Sequence, residues 1–283
     1  MVRIENLVKN YGEVKAVRSI NFTANKGEIL GFLGANGAGK STTLKIIAGY
    51  LSPTSGNVFI DDLNILDNSL EIKQQVGYLP ELNPLWGEMR VYDILKFTGR
   101  IYDIVGRKFD NSLERVIEQC GLNGVVHKKI SACSKGYKQR VGLAMAIIHD
   151  PSILILDEPV NGLDPNQIIE IRELIRSLGR DKTIIISSHI LQEIQAIADR
   201  IVVINKGQVA ADGTSEELMS SLKGNTLLTL EVKNATTEKI EELSSSVNGV
   251  SVKDITEMNN THIIQLEYPS DTDPRENIFN YAL

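Results

Sequence analysis

A glycine-rich run at residues 34–41, with the letters GANGAGKS, sets tight limits on the fold of this chain. It satisfies the pattern GxxxxGK followed by Ser or Thr. An apolar run at residues 29–33 precedes it, and a helical pattern at residues 42–48 follows it. In such a strand–loop–helix unit, glycines let backbone N–H groups wrap phosphates, and the helix N-terminus adds positive potential. The run therefore predicts a loop that binds the phosphates of a nucleotide.

The residue types in this loop predict separate roles for its members. Lys40 can neutralise the β and γ phosphates and is expected to assist catalysis, whereas the hydroxyl of Ser41 can ligate Mg²⁺. The alternative is a glycine-rich turn that matches by chance, with odds of about one in a hundred for a chain of this length. The residues expected to bind nucleotide here are Gly34, Asn36, Gly37, Ala38, Gly39, Lys40, Ser41 and Thr42.

A second chemical motif follows an apolar run at residues 153–156, where Asp157 and Glu158 stand together. A buried strand that ends in two acids suits Mg²⁺ binding by Asp157 and activation of water by Glu158. The alternative is a strand followed by two exposed carboxylates. Because enzymes with a phosphate loop need a second, acidic strand, the upstream loop favours the catalytic interpretation.

Short β-branched runs alternate with helical patterns, which is typical of an α/β fold with a parallel sheet. Three segments between turns, at residues 2–8, 17–22 and 56–60, favour an antiparallel β subdomain. Apolar stripes with helical spacing between about residues 91 and 149 predict a helical subdomain inserted between two core strands. The predicted core strands lie at residues 28–33, 153–156, 183–187 and 201–205.

The composition shifts toward Ser, Thr, Asn and Glu beyond about residue 222, so we expect domains at residues 1–222 and 223–283. The second domain reads as small and α+β, with a split βαβ order and a turn at Asn259-Asn260. Asp273 followed by Pro274 predicts a last helix, and few residues remain beyond it, so we expect this domain to be incomplete. The predicted elements are strands at 226–232, 250–256 and 262–268 and a helix at 236–247.

The net charge of −6 gives no general attraction to nucleic acid, so no nucleic-acid partner is expected. The longest apolar stretches are far shorter than the roughly 20 residues that cross a bilayer. Glu5 stands where a signal peptide has its apolar region, which favours the cytoplasm. Cys120 and Cys133 lack metal-binding spacing and are interpreted as reduced thiols.

Over about residues 1–223 the chain resembles the ATP-binding subunits of ABC (ATP-binding cassette) transporters. Residues 133–140, CSKGYKQR, lie where that family has its LSGGQ signature. Ser134 and Gly136 match, while Cys133, Lys135 and Tyr137 depart from the pattern. The resemblance implies that Ser134 and Gly136 bind the ATP of a second subunit across a head-to-tail homodimer. The bland alternative is a polar helix cap.

Four further landmarks occur in the family's order, and the resemblance implies their roles. Asp164 lies in the D-loop and is also a good helix cap. His189 matches the switch histidine expected to act in catalysis, although a lone histidine there is more often structural. Tyr11 resembles the aromatic that stacks on adenine, or is a turn tyrosine. Glu81 replaces the usual Q-loop glutamine as an expected Mg²⁺ ligand, and its charge alters the site.

The resemblance implies an ATP-hydrolysing subunit with ATP and Mg²⁺ as cofactors. The variant signature and the C-terminal domain resemble the export-type and gliding-motility-type branch, whose permease is a separate transmembrane chain. The subunit is then expected on the inner face of the cell membrane, held there by the permease. Trp86 is either a docking residue for a membrane helix or a packed side chain.

Three alternatives remain at this stage. An importer subunit is possible, but Glu81 and Lys135 depart from importer habit. A non-transport regulatory protein is also possible, but the retained Glu158 argues for turnover. Ribosomal or DNA-repair ABC proteins normally have two cassettes or long coiled coils, which this sequence lacks.

Overall fold

The computed structural model describes residues 1–221, 225–233, 235–258, 261–269 and 272–282. The contacts divide the chain into two compact units, Met1–Ser215 and Glu216–Leu283. The domain boundary predicted between residues 222 and 223 lies outside the described residues. Within the described residues, no helix is both long and apolar enough to cross a membrane.

The first unit combines strands and helices in the alternating order that the sequence predicts. Its strands are β1 (Val2–Tyr11), β2 (Val14–Ala24), β3 (Ile29–Leu33), β4 (Ser55–Ile60), β5 (Leu63–Asn64), β6 (Val76–Leu79), β7 (Ile153–Asp157), β8 (Thr183–Ser188), β9 (Arg200–Asn205) and β10 (Gln208–Gly213). The helices that begin in it are α1 (Lys40–Ile47), α2 (Ser69–Gln75), α3 (Val91–Ile101), α4 (Arg107–Gln119), α5 (Lys135–Ile147), α6 (Pro165–Gly179), α7 (Leu191–Gln195) and α8 (Ser215–Ser221).

A six-stranded sheet forms the centre of this unit, in the order β10-β9-β3-β8-β7-β6. The pairs β6–β7, β7–β8, β8–β3 and β3–β9 are parallel, and β9–β10 is antiparallel. Every residue of β7 and β8 is buried, as expected for parallel strands covered on both faces. The carboxyl ends of β3, β7 and β8 are neighbours, so the residues that follow these strands meet at one edge of the sheet.

A second, antiparallel sheet has the order β2-β1-β4-β5 and confirms the predicted β subdomain. It shares one apolar core with the central sheet and with α1. Phe22 of β2 stacks on Phe32 of β3, with ring centroids 5.2 Å apart. This contact packs the antiparallel sheet against β3, the strand that leads into the glycine-rich loop.

Residues 91–149 are mainly helical, with α3, α4, a short 3-10 helix at Ile130–Ala132 and α5. Helix α5 lies close to β6, since a Cβ added at Gly77 would come within 2.1 Å of the Ala146 carbonyl oxygen. After α5, the ring of His149 stacks on Tyr102 with centroids 3.7 Å apart. The helical part is therefore packed directly on an edge strand of the central sheet.

The second unit has its own antiparallel sheet, in the order β11-β13-β12, and its own apolar core. The prediction of a single helix at 236–247 is wrong in detail, because two short helices separated at Glu242 occupy this segment. Three consecutive serines follow shortly after the break, and serine is a weaker helix former than alanine or leucine. The predicted turn at 259–260 lies outside the described residues. The elements are β11 (Asn225–Lys233), α9 (Thr237–Glu241), α10 (Leu243–Ser246), β12 (Ser251–Met258), β13 (Thr261–Pro269) and α11 (Arg275–Ala282).

Candidate nucleotide-binding site

The loop between β3 and α1 requires glycine at two positions for different reasons. Gly37 and Gly39 have φ angles of 78° and 108°, which L side chains rarely adopt. A Cβ at Gly39 would also lie 2.6 Å from the backbone oxygen of Ala16. The loop is therefore held against β2, while its backbone curves into the N-terminus of α1. A loop that curves in this way before a helix N-terminus can direct backbone N–H groups at a bound phosphate.

Lys40 is the first residue of α1, and its side chain is 6% exposed. The Nζ group donates to the backbone oxygens of Gly34 and Ala35, at 2.7 and 3.3 Å. It also lies 3.3 Å from Oε1 of Glu158, in a buried ion pair. The ammonium group thus donates to two backbone oxygens and has one carboxylate as its ion-pair partner.

Asp157 and Glu158 stand at the end of β7, and a serine on the neighbouring strand joins them. The Oγ of Ser187 donates to Oδ1 of Asp157 at 2.7 Å and accepts the backbone N–H of Glu158 at 3.0 Å. Sequence reasoning missed Ser187. Asp157 of β7 and Ser187 of β8 are paired in the parallel register. In the sequence, the one sign of this contact was that Ser187 is a polar residue at the end of an otherwise apolar strand.

Glu158 is a buried carboxylate with an unusual backbone. Its φ angle is +50°, a region that non-glycine residues enter rarely and mostly at functional sites. One carboxylate oxygen faces Lys40, and the other, Oε2, lies 2.9 Å from Nδ1 of His189. These partners fix the direction of the carboxylate. A proton on Nδ1 of His189 would be donated to it.

A cleft of about 380 Å³ opens over the loop, and polar groups dominate its chemistry. Asn161 donates from Nδ2 to Oε1 of Glu81 at 3.4 Å on the rim. Ser41 and Glu81 offer hard oxygen donors, which fit a magnesium ion that also takes phosphate oxygens. Among the described residues there is no cluster of three or more His, Cys, Asp or Glu side chains suited to a metal. The lining residues are Ala16, Asn36, Gly37, Gly39, Lys40, Ser41, Thr42, Glu81 and Glu158.

Among the described residues, three others predicted for this loop and strand do not line the cleft: Gly34, Ala38 and Asp157. The backbone of Gly34 holds Lys40, and Ala38 is buried in the shared core. Asp157 is 1% exposed. Tyr11, which is 49% exposed, ends β1, and the ammonium of Lys9 lies 5.4 Å from its ring centroid. Within the described chain, Tyr11 does not contribute to the cleft wall.

Ser134 and Gly136 line a different cavity, of about 390 Å³. Ser134 caps α5, where its Oγ accepts the N–H of Tyr137 at 3.4 Å. Gly136 contacts Gln167 so closely that an added Cβ would lie 2.8 Å from its Cδ. Asp164 caps α6 by accepting the N–H of Gln167 at 3.0 Å, which confirms the predicted helix start. The described part of the chain therefore keeps the signature residues out of the phosphate cleft.

A glycine-rich loop between a strand and a helix, with a buried acidic strand end beside it, defines a P-loop nucleoside-triphosphate hydrolase. The family model described as ABC transporter matches residues 17–161. The chain belongs to this family and is an ATPase, as the resemblance of its motifs implied. A second model, described as "AAA domain, putative AbiEii toxin, Type IV TA system", matches residues 129–194, the part that contains α5, β7 and His189.

Similar curated proteins extend the match over most of the chain. The uncharacterised ABC transporter ATP-binding protein YxlF of Bacillus subtilis is 37% identical over 85% of this chain and 78% of its own length. The linearmycin resistance ATP-binding protein LnrL of the same species is 34% identical over 90% and 83%. The bacitracin transport ATP-binding protein BcrA of Bacillus licheniformis is 39% identical over 74% and 68%.

Solved structures confirm the predicted fold class of the cassette. The cbiO1 protein from Clostridium perfringens, part of the ABC transporter complex cbiONQ, superposes with a TM-score of 0.71 at 28% identity. That match covers 78% of this chain and 91% of cbiO1. A dimeric bacterial ABC transporter cassette at 24% identity has a TM-score of 0.69 and shares the fold.

Proposed function

We propose that this chain is the ATP-hydrolysing subunit of a membrane exporter and that it works as an ATP-dependent head-to-tail dimer. The separation of two sets of residues carries this proposal. Lys40, Ser41 and Glu158 line one cleft, whereas Ser134 and Gly136 line another. A second copy, turned head to tail, supplies the signature residues to the cleft. Each copy thereby completes the phosphate cleft of the other, so the dimer contains two ATP sites and both ATP molecules lie in the interface.

The residues of the cleft divide the chemistry between them. The loop backbone and Lys40 bind the phosphates, and Glu158 accepts a proton from the attacking water. His189 keeps the carboxylate of Glu158 oriented through the 2.9 Å contact. Ser41, Glu81 and Asp157 would hold Mg²⁺, which supplies charge neutralisation at the phosphates when bound. Tyr11 is proposed to stack on adenine, since an exposed flat ring at the end of β1, before the turn to β2, suits that role.

The export direction is supported by named relatives and by two residues of the chain. One relative is named for linearmycin resistance and another for bacitracin transport, and both align over most of this chain. Glu81 and Lys135 stand where importer subunits usually have Gln and Gly. We therefore favour export over import.

A membrane partner is supported by an aromatic pocket on the first unit, of about 400 Å³. Trp86 is 56% exposed there and also packs edge-on against Phe97, with centroids 5.8 Å apart. The hydroxyl of Tyr78 is buried in the same wall without a hydrogen-bond partner among the described residues. Such a pocket suits an apolar helix of a permease if that helix offers one hydrogen-bond acceptor to the Tyr78 hydroxyl. Docking there would hold the subunit at the inner face of the membrane.

The dimer is tested with Glu158→Gln, which should trap a closed state because hydrolysis is blocked. Light scattering should give the mass of a dimer with ATP and of a monomer with ADP. Glu173→Gln makes the same chemical change at an exposed position of α6 and should not accumulate dimer under turnover. Adding Ser134→Asp to Glu158→Gln should abolish the dimer while ATP still binds. If every variant remains a monomer with ATP, the proposal that ATP alone is sufficient to form the dimer is contradicted.

The direction of transport needs a separate measurement in cells that express the chain with its permease. Lys40→Ala removes phosphate binding and should raise sensitivity to bacitracin or linearmycin if the complex exports such compounds. Equal sensitivity of wild type and variant would remove the support that the two relatives lend to export.

A further inference from the structure

We infer that Asn83 is a positioning residue that fastens residues 80–86 to α5 and so couples this segment to Ser134. The inference rests on the proposed function, since it concerns how the signature serine is placed for the second copy. Residues 80–86 connect the two candidate sites of the first unit: Glu81 lines the phosphate cleft, and Trp86 lines the aromatic pocket. Asn83 lies between these two residues.

The contact itself is a side-chain hydrogen bond to a helix backbone. Nδ2 of Asn83 donates to the backbone oxygen of Lys138 at 2.9 Å. Helix carbonyls already accept one intrahelical N–H, but their second lone pair can accept another donor. A bond of this kind ties the segment to one turn of α5 without replacing any helix hydrogen bond.

A glycine on the same face of α5 makes room for this side chain. A Cβ added at Gly142 would lie 2.1 Å from Nδ2 of Asn83 and 2.7 Å from Cδ1 of Leu79. Both distances are too short for real atoms, so any larger residue would expel Asn83 from its place. Gly142 therefore forms a slot for the end of β6 and for Asn83. One turn further along, Ala146 packs against Gly77 of β6 in the same close way.

The direction of coupling follows from the helix. Ser134 caps α5, and the backbone N–H of Lys138 donates to the backbone oxygen of Ser134 at 2.9 Å. The carbonyl that Asn83 holds is thus one turn from the signature serine. Because a helix turn is stiff, a displacement of residues 80–86 moves Ser134 as well. A ligand near Glu81 or a partner helix at Trp86 can act on the signature through this bond.

The test uses three substitutions at the contact and measures ATP hydrolysis and ATP binding separately. Asn83→Ala and Gly142→Ala should each lower kcat about fivefold, the effect of one lost hydrogen bond, with the Kd for ATP unchanged within about twofold. Asn83→Asp keeps the shape but replaces the donor by an acceptor that faces a carbonyl. It should lower kcat at least as much, whereas a residue needed only for packing would tolerate this change.

The controls are Asn111→Ala, at an exposed position of α4, and Gly124→Ala, where an added Cβ meets no described atom within 4 Å. The double variant of Asn83→Ala and Gly142→Ala should be no slower than either single one, because both break one contact. Trp86 is the only tryptophan, so its fluorescence follows the segment directly. Its response to ATP in Glu158→Gln should shrink when Asn83→Ala is added.

Two results would overturn the inference. One is a wild-type kcat in Asn83→Asp, and the other is fully additive losses in the double variant. If Gly142→Ala does not fold, the two Asn83 variants decide the question. Absence of ATP turnover or of an ATP-dependent dimer in the wild-type background would instead count against the proposed function.

Discussion

At the scale of single residues, the central feature is the carboxylate of Glu158 between Lys40 and His189. A charge buried in this way persists only when opposite charge or hydrogen bonds compensate the loss of water. Lys40 supplies the charge at 3.3 Å, and His189 faces the other oxygen at 2.9 Å. The two groups that the reaction needs, a cation for phosphate and a base for water, therefore begin in contact with each other.

Glu158→Gln should lower turnover at least about a hundredfold, because a general base contributes on that order or more. The same change should tighten ATP binding, because Lys40 no longer has to break an ion pair with Glu158 before it binds the phosphates. Steady-state hydrolysis and equilibrium binding of ATP measure the two effects. Glu173→Gln should change neither, and weaker ATP binding by Glu158→Gln would contradict the importance of the buried ion pair.

Ser187→Ala should lower kcat about tenfold, equivalent to about 1.4 kcal/mol, with a smaller change in KM. The reason is that Ser187 both donates to Asp157 and accepts the N–H of Glu158, so its loss frees two acidic residues together. Single-turnover kinetics with bound ATP would separate this step from binding. Ser177→Ala removes an exposed hydroxyl of α6 that donates to the Leu174 carbonyl, and it serves as a control away from the cleft.

At the scale of elements, the loop before α1 shows why two similar glycines have different importance. Gly37→Ala incurs the strain of a left-handed backbone, about 1–2 kcal/mol, and meets no described atom within 4 Å. Gly39→Ala adds a collision with the Ala16 carbonyl at 2.6 Å. We expect Gly39→Ala to lose ATP binding and Gly37→Ala to weaken it. Calorimetric titration with ATP, beside thermal unfolding, would check the order, and equal effects would contradict the role of β2.

The sequence predicted the elements whose chemistry is local. The loop, the acidic strand end and the cap of α6 depend on residues a few positions apart, so patterns reveal them. The sequence indicated the cap of α5 at Ser134 only as the alternative to the signature interpretation, and the structure shows it. Ser187 and Asn83 depend on neighbours about 30 and 55 positions away, which are known only once strand order and helix packing exist. The sequence did not predict the helix break at Glu242, because apolar residues continue with helical spacing on both sides of it.

At the scale of the whole first unit, His149 is a buried joint between the helical part and the central sheet. Its Nε2 lies 3.2 Å from the Val76 carbonyl, and Nδ1 is buried without a partner among the described residues. Burial lowers the pKa of His149 to about 4. The ring is therefore neutral in the folded chain at neutral pH, with a proton on Nε2.

The sign of the pH effect follows from the lowered pKa. The unfolded chain takes up a proton below about pH 6.5, whereas the folded chain does so only near pH 4. The contribution of His149 to stability is complete above pH 6.5 and is lost as the pH falls toward 4. The loss amounts to at most about 3 kcal/mol.

Urea unfolding at several pH values should therefore show that the wild type loses more stability than His149→Gln between pH 7 and pH 4.5. His127→Gln changes an exposed histidine of the same region and should follow the wild type. Parallel curves for wild type and His149→Gln would contradict a neutral, buried His149.

The two carbonyl oxygens and the carboxylate around Lys40 affect which anions the site can bind. A small anion that carries one or two charges has to compete with two carbonyls and a carboxylate already in place. A triphosphate brings more charge and engages the loop backbone at several points in the same event. We therefore expect free phosphate to compete only weakly with a nucleoside triphosphate for this loop.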